Sequence, residues 1–138
     1  WKPWEDVGIA DPPCLQRLWC RIFDDELVMN AHMRSNDAFK AAFMNMYAFT
    51  ELQREIARQV SERLERRIRP GQYTHIADSF HIYGSYFDEF ETFLELVRSR
   101  PFERRTYRTE DVAELLMEAA AAVRRSIEAE RTSGRKGL

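Results

Sequence analysis

The sequence lacks an excess of charge of either sign. Its 138 residues include 21 lysines and arginines and 23 aspartates and glutamates, which gives a net charge of −2. This balance argues against a protein that wraps the backbone of a nucleic acid, since such proteins need a strongly basic surface. A small phosphorylated ligand remains compatible with it, because a few local arginines can hold one phosphate.

Long apolar runs are also lacking. No stretch approaches the roughly 18 to 20 apolar residues of a membrane-spanning helix, and no basic segment followed by an apolar one opens the sequence. We therefore expect a cytoplasmic protein that binds neither membranes nor nucleic acids. Trp1 opens the chain without a methionine, which suggests that a preceding segment is missing.

Cysteine and histidine are scarce, with two and three residues respectively. Cys14 and Cys20 lie six positions apart in a segment that reads as extended, so a disulfide between them is not expected, and free thiols fit a reducing compartment. The histidines, at positions 32, 75 and 81, are too scattered to indicate a metal site.

The apolar pattern of the first half predicts two strands, a helix and a third strand. Residues 15–23 and 26–33 read as a β-hairpin. A helix should run from near Phe43 or Asn45 to about Ile68, where apolar residues recur every fourth position, and Pro70-Gly71 should stop it. Residues 73–83 alternate like one strand, with His81 and Tyr83 on the same face.

The second half predicts two more helices. One is capped by Ser85 and runs through Val97, and the other spans about Glu110 to Glu130 with Thr109 as its cap. We therefore expect an α+β fold with a mixed or antiparallel sheet and flanking helices. The hydrophobic content of 44% suffices for the core of one domain. This domain should cover residues 1–131, followed by a flexible tail at residues 132–138.

The residues that can carry chemistry lie in four short segments. Cys14 follows Pro12-Pro13 directly and is either a small buried hydrophobe or, if a nearby cation lowers its pKa, a nucleophile. Cys20 lies inside a strand and fits the core. Arg34, Ser35 and Asp37 end the second strand, which is either solvated or suited to a phosphate.

Asn45 is either a helix cap or a carboxamide that pairs with the edge of a base. His81 and Tyr83 share a strand face and are either a packed pair or part of a site.

In order and spacing these residues resemble the thymidylate synthase family over most of residues 1–95. Trp1 lies thirteen residues before Cys14, Arg34-Ser35-x-Asp37 begins twenty residues after it, Asn45 lies eleven beyond Arg34, and His81-x-Tyr83 follows. The resemblance implies a thymidylate-synthase-like fold of which residues 1–131 are the C-terminal catalytic part. It also implies a homodimer, a pyrimidine nucleotide substrate and 5,10-methylenetetrahydrofolate as cofactor.

The resemblance assigns a role to each residue. In that family a cysteine thiolate adds to C6 of the pyrimidine, and C5 then attacks the methylene group of the folate. Cys14 would be the nucleophile, Arg34 would lower its pKa and contact the phosphate, and Ser35 would bind the phosphate. Asp37 would lie beside the base and the pterin, and Asn45 would select uracil over cytosine. His81 and Tyr83 would hold the sugar hydroxyl.

Four positions depart from the family pattern. Leu15 replaces the histidine after the nucleophile, Met33 replaces a glutamine before Arg34, residues 40–43 lack the usual Gly and Leu-Pro, and Ser79-Phe80 replaces Asp-Thr. The nucleotide side is thus kept while the folate side is altered. Two alternatives stay open. One is a hydroxymethylase acting on CMP, dCMP or dUMP, which ends its cycle with water rather than hydride. The other is a catalytically silent nucleotide-binding relative.

Overall fold

The computed structural model describes Trp4, residues 7–10 and residues 12–133. Strands in this part of the chain are β1 (Leu15–Phe23), β2 (Glu26–Met33), β3 (Asn36–Asp37), β4 (Arg69–Ala77) and β5 (Phe80–His81). The helices are α1 (Ala42–Leu64), α2 (Phe87–Ser99) and α3 (Ala113–Ser133), with 3₁₀ turns at Gly84–Tyr86, Phe102–Arg104 and Thr109–Val112. Trp1 and residues 134–138 lie outside the described residues.

The predicted hairpin is confirmed at both boundaries. β1 and β2 pair in antiparallel register from Leu15 opposite Met33 to Phe23 opposite Glu26. The two turn residues, Asp24 and Asp25, have φ values of 47° and 65°. Two consecutive positive φ values match the twist of the flanking strands, and aspartate tolerates this conformation better than most residues do.

β4 extends the hairpin into a mixed sheet. The strand order is β1-β2-β4, and β4 runs parallel to β2, with α1 connecting the two. A parallel pair requires such a crossover connection, which is usually a helix. The α+β class with a mixed sheet is therefore confirmed, while the finer likeness to thymidylate synthase stays a prediction.

Among the described residues, one face of β2 supplies most of the buried apolar side chains. Its alternate side chains are almost fully buried, namely Leu27, Met29, Ala31 and Met33. Leu27 forms a core cluster with Ala57 of α1 and with Ile68. Residues opposite each other in neighbouring strands share a face of the sheet, so Tyr73 and His75 of β4 lie on this same face, opposite Met29 and Ala31.

A buried amide and a glycine adapt α1 to an irregularity in the sheet. The register of β2 against β4 shifts between Leu27 and Met29. The Gln53 side chain fills this region, where its Nε2 donates to the carbonyls of Leu27 at 2.7 Å, Gly71 at 3.1 Å and Gln72 at 3.3 Å. A Cβ atom at Gly71 would lie 2.9 Å from the Cβ of Glu26, so the close approach of the two strands requires glycine.

The predicted end of α1 at Ile68 is wrong, because the helix stops at Leu64. Glu65 adopts a left-handed conformation with φ 49°, and the Ser61 hydroxyl accepts a hydrogen bond from the backbone N–H of Ile68. These contacts turn the chain into β4 four residues earlier than the apolar repeat indicates. Pro70 and Gly71 belong to β4, an edge strand, where a missing N–H is tolerated.

The single strand predicted over residues 73–83 is also wrong. β4 ends at Ala77, and the backbone N–H of Ser79 donates to the carbonyl of Arg34 at 3.3 Å. Residues 80–81 then form β5, which pairs in parallel with β3 in a second, two-stranded sheet. The alternation of side chains thus spans two short strands in different sheets.

Three predicted caps differ as well. Ala41 occupies the N-cap of α1, so Asn45 lies within the helix and does not cap it. Ser85 lies inside the 3₁₀ turn that precedes α2, and Thr109 begins a 3₁₀ turn whose N-cap is Arg108. Of the predicted tail, Thr132 and Ser133 are the last residues of α3, and the rest lies outside the described residues.

The chain divides into two compact units, Trp1–Phe90 and Glu91–Leu138. Every candidate residue belongs to the first unit. The single domain predicted over residues 1–131 stays a prediction. Among the described residues, no helix is long and apolar enough to cross a membrane.

Candidate functional site

Backbone pairing brings Cys14 and Arg34 together. β1 begins where β2 ends, and the N–H of Arg34 donates to the carbonyl of Cys14 at 2.9 Å. β4 ends at the same place, since Ala77 is opposite Met33. We refer to this end of the three-stranded sheet, with Cys14, residues 34–37 and residues 77–81, as the Cys14 end.

The side chain of Arg34 fixes the segment that leads to Cys14. Its Nη2 donates to the carbonyl of Pro12 at 2.5 Å, and its Nε lies 3.4 Å from the carbonyl of Pro13. Two prolines restrict the φ angles of this segment, and the guanidinium fork then bonds to it from the side. The arrangement puts a permanent cation beside Pro12 and Pro13, which precede Cys14. Ser35, the residue after Arg34, is half-buried.

The short sheet of β3 and β5 brings His81 to the same place. Asp37 is opposite His81, and the N–H of Ala38 donates to the carbonyl of His81 at 2.8 Å. The Ser79 hydroxyl lies 3.1 Å from Nδ1 of His81 and orients the ring. Tyr83 makes an edge contact with His81, with ring centroids 4.9 Å apart. The predicted pair is thus in contact, although Tyr83 lies beyond the strand.

Asp37 anchors the loop that precedes α1. Its Oδ1 accepts hydrogen bonds from the backbone N–H groups of Phe39 at 2.9 Å and Lys40 at 3.2 Å. The Lys40 ammonium forms an ion pair with Glu89 and lies over the ring of Tyr86. One oxygen of the Asp37 carboxylate is therefore engaged in hydrogen bonds to the local backbone.

Asn45 joins the site through three residues that sequence reasoning missed. Its Nδ2 donates to Oδ1 of Asn36 at 2.9 Å, and Nδ2 of Asn36 lies 2.8 Å from Nε2 of His75. Nδ1 of His75 in turn lies 2.7 Å from the hydroxyl of Tyr73. The side chain of Asn36 is 3% exposed, so its amide depends on these partners. The alternation of Tyr73 and His75 on one face was a signal that could have suggested this chain of bonds.

Burial sets the protonation states of His75 and Tyr73 in this series of hydrogen bonds. Desolvation lowers the pKa of His75 and raises the pKa of the Tyr73 hydroxyl. Both shifts favour the uncharged side chain, so a neutral imidazole faces a protonated phenol at neutral pH. Phe49 of α1 packs against the same imidazole, with ring centroids 6.4 Å apart.

A small cavity opens beside this chain of bonds. It has a volume of about 320 Å³ and is lined by Met46, His75, Ala77 and Phe80. A larger cavity of about 570 Å³ lies along α1 and the start of β4, but its lining contains none of the candidate residues. Its arginines include Arg54, Arg58 and Arg69, and each of these forms an ion pair with a glutamate. Because a glutamate already neutralises each of these cations, we assign the function to the Cys14 end.

The two thiols differ in environment. Both cysteines are free, and the prediction that Cys20 belongs to the core is wrong, because Cys20 is exposed on the edge strand β1. Partial desolvation still raises the pKa of its thiol. Cys14 is half-buried, and the Arg34 side chain is bonded to the carbonyls of the two residues before it. Among the described residues, no group of three or more histidine, cysteine, aspartate and glutamate side chains could hold a metal ion.

All seven predicted site residues therefore lie on connected segments of one unit. Cys14 precedes β1, Arg34 and Ser35 follow β2, and Asp37 belongs to β3. His81 and Tyr83 join through β5, and Asn45 joins through Asn36. A comparison with models of known protein families finds no match for this chain.

Proposed function

We propose that this chain carries the nucleophile and the nucleotide site of an enzyme that transfers a one-carbon unit to C5 of a pyrimidine nucleotide. The observation that carries the proposal is the hydrogen-bonded convergence of the Cys14, Arg34 and His81 segments at one end of the sheet. The segments that carry a thiol, a guanidinium and an imidazole are thus bonded to one another, and these are groups that such a reaction uses.

Cys14 is the nucleophile of the proposed reaction. Its thiolate adds to C6 of the pyrimidine ring, and the electron pair of the C5–C6 double bond moves to C5 and O4 to give an enolate. The Arg34 guanidinium is bonded to the carbonyls of Pro12 and Pro13, the two residues before Cys14, and so holds the segment that carries the nucleophile. After transfer, C5 loses its proton, the C6–S bond breaks to return the thiolate, and the folate would supply the hydride that reduces the one-carbon unit to a methyl group.

The nucleotide would contact the remaining residues. Arg34 and Ser35 bind its phosphate, and His81 and Tyr83 bind a sugar hydroxyl. Asn45 pairs with the base edge, for which its carboxamide offers a donor and an acceptor. The buried bond from Asn45 to Asn36 supports this role, because a fixed amide can discriminate between bases.

5,10-Methylenetetrahydrofolate would supply the one-carbon unit. The residues fit this cofactor only in part, since Oδ1 of Asp37, which the resemblance puts beside the pterin, accepts two backbone hydrogen bonds. The nucleotide side therefore supports the proposal more strongly than the folate side does. A cytoplasmic homodimer belongs to the same proposal, and the exposed Trp19 and Phe23, on one face of β1, offer apolar surface that a second copy would cover.

Identification of the product tests the proposal. The full-length protein is incubated with 5,10-methylenetetrahydrofolate and each of the uridine and cytidine monophosphates, in ribo and deoxyribo forms, and the nucleotides are analysed by mass. A methylated uracil nucleotide is the expected product. A hydroxymethylated nucleotide would assign the hydroxymethylase alternative instead, and nucleotide binding without any product would assign the silent relative. Absence of binding would refute the proposal.

A further inference from the structure

Four polar side chains from three elements form one continuous chain of hydrogen bonds. Asn45 lies on α1, Asn36 on β3, and His75 and Tyr73 on β4. The successive heavy-atom distances are 2.9 Å, 2.8 Å and 2.7 Å, all within ordinary hydrogen-bond range. The chain of bonds runs from the proposed base-binding amide to a tyrosine hydroxyl, and we call it the Asn45 relay.

Each bond in the Asn45 relay dictates the direction of the next. Nδ2 of Asn45 donates to Oδ1 of Asn36, so Asn36 presents its own Nδ2 to His75. An amide nitrogen only donates, hence Nε2 of His75 must accept and carries no proton. The proton of the neutral ring is then on Nδ1, where it is donated to the hydroxyl of Tyr73.

The opposite direction requires all four groups to change together. Both amides would have to rotate by half a turn, the imidazole would have to move its proton to Nε2, and the Tyr73 hydroxyl would have to donate. A partial change would set two donors or two acceptors against each other at the nearly buried Asn36, which costs about 1 to 3 kcal/mol. The orientation of Asn45 is therefore coupled to residues that lie outside contact with it.

We propose that Tyr73, His75 and Asn36 are positioning residues that fix the carboxamide of Asn45 in one orientation and thereby set which pyrimidine base the site accepts. This inference rests on the proposed function. Uracil presents an N3 donor beside an O4 acceptor, whereas cytosine presents an N3 acceptor beside an N4 donor. A fixed carboxamide matches only one of these patterns, while a carboxamide free to rotate matches both.

Two variants at Asn36 with the same number of side-chain heavy atoms test the inference. Asn36→Asp keeps an acceptor for Nδ2 of Asn45, whereas Asn36→Leu offers no hydrogen bond. The measurement is the ratio of the dissociation constants for the cytosine and uracil deoxynucleoside monophosphates, determined by calorimetry on the full-length protein. Taking the ratio within each protein cancels a general loss of affinity, which a merely structural role would produce.

The relay predicts opposite results for the two variants. Asn36→Asp should keep the parent's preference for uracil to within about threefold, and Asn36→Leu should lower the ratio roughly tenfold or more, since one mispaired buried group is worth that much discrimination. His75→Phe, which lets Asn36 rotate, should lower the ratio in the same way and serves as a second variant if Asn36→Leu does not fold.

The histidine tautomer gives an independent readout. The chain has three histidines, so nitrogen NMR can resolve the ring of His75. We expect a proton on Nδ1 in the parent and on Nε2 in Asn36→Asp. A carboxylate oxygen at position 36 can accept a hydrogen bond from Nε2–H, whereas the amide nitrogen of Asn36 can only donate one. An Nε2 proton in the parent would overturn the direction of the relay.

The outcomes separate this inference from the proposed function. If the parent forms product but the ratio is unchanged in Asn36→Leu and His75→Phe, or is lost in Asn36→Asp, the relay is refuted and the proposed function stands. If the parent binds neither nucleotide, both are refuted.

Discussion

The two ends of the three-stranded sheet are stabilised in different ways. At the end that contains the Asp24-Asp25 turn, which we call the turn end, Leu27, Ala57 and Ile68 form an apolar cluster. At the Cys14 end, the buried contacts include hydrogen bonds among the polar side chains of Asn36, Asn45 and His75. The apolar contacts of the turn end have no preferred direction, and the buried Gln53 amide adds hydrogen bonds to backbone carbonyls there.

The comparison indicates what each end is suited for. Apolar packing tolerates a substitution of similar volume, whereas a buried polar network tolerates only the partners that satisfy every donor and acceptor. The Cys14 end can therefore orient a functional group, and the turn end can supply the stability that this order requires. The following predictions alter one end of the sheet or, in the last case, the exposed surface of α1, and they measure turnover, nucleotide binding or stability.

The largest effect is expected at Cys14. Cys14→Ser should lower product formation on the order of a thousandfold or more, because an alcohol at neutral pH is a far weaker nucleophile than a thiolate. Nucleotide binding should persist, since the phosphate and base contacts lie on other residues. Cys20→Ser is the matched control and should change stability at most. Near-normal turnover in Cys14→Ser would remove this residue from the mechanism.

A large effect on stability is expected at the turn end. Gln53→Met keeps the side-chain length but leaves the carbonyls of Leu27, Gly71 and Gln72 without their donor, so the free energy of unfolding should fall by about 1 to 3 kcal/mol. Denaturation in urea measures the loss.

The control for this change lies on the same helix. Gln59 is exposed and donates a hydrogen bond to the side chain of Glu55, and Gln59→Met should change stability by less than about 0.5 kcal/mol. If the folded fraction of Gln53→Met loses the preference between uracil and cytosine nucleotides, the two ends of the sheet are not separate in function.

Sequence patterns predicted the elements of this fold better than their connections. The hairpin was predictable because alternation and the Asp24-Asp25 turn both depend on local sequence. The break after Ala77 was not, since it results from hydrogen bonds between Ser79 and Arg34, which are distant in sequence. The end of α1 was misplaced for a similar reason, because Ile68 continues the apolar repeat but is buried in the sheet core.

The same distinction applies to the site. Cys14, Arg34 and Asn45 were identified by their order and spacing, which a sequence contains directly. Asn36 and His75 were not, because their importance depends on a contact between β3 and β4 that arises only on folding. Motifs therefore revealed the groups proposed to touch the ligand, and the structure was needed for the groups that orient them.

A smaller effect is expected at Arg34. Arg34→Lys replaces a fork that reaches the carbonyls of Pro12 and Pro13 by a single ammonium, which cannot reproduce both bonds. We expect nucleotide affinity to fall about five- to tenfold, or roughly 1 kcal/mol, together with turnover. Arg54→Lys, an exposed arginine paired with Glu51, is the control and should bind as the parent does. Equal affinity in Arg34→Lys would contradict the phosphate role.

The smallest effect is expected on the exposed surface of α1, the helix that packs on both β2 and β4. Hydrogen bonds from Arg58, and then from Gln59, lower the pKa of Glu55 from 4.5 to about 2. Because the folded-state pKa lies below the unfolded value, this carboxylate stabilises the protein above about pH 4.5 and loses that contribution as the pH falls toward 2. Glu55 takes up a proton as the pH falls, whereas the amide in Glu55→Gln does not titrate. Between about pH 5 and pH 3 the urea midpoint of the parent should therefore fall slightly more than that of the variant. Glu62→Gln is the matched control, since Glu62 accepts a single bond from the same guanidinium, at 2.5 Å, and should alter the pH dependence less.

Solvent screens an exposed pair, so added salt should shrink the difference between the parent and Glu55→Gln. A difference as large as that of Gln53→Met would mean that surface charge, rather than the buried contacts at the two ends of the sheet, dominates the stability of this unit.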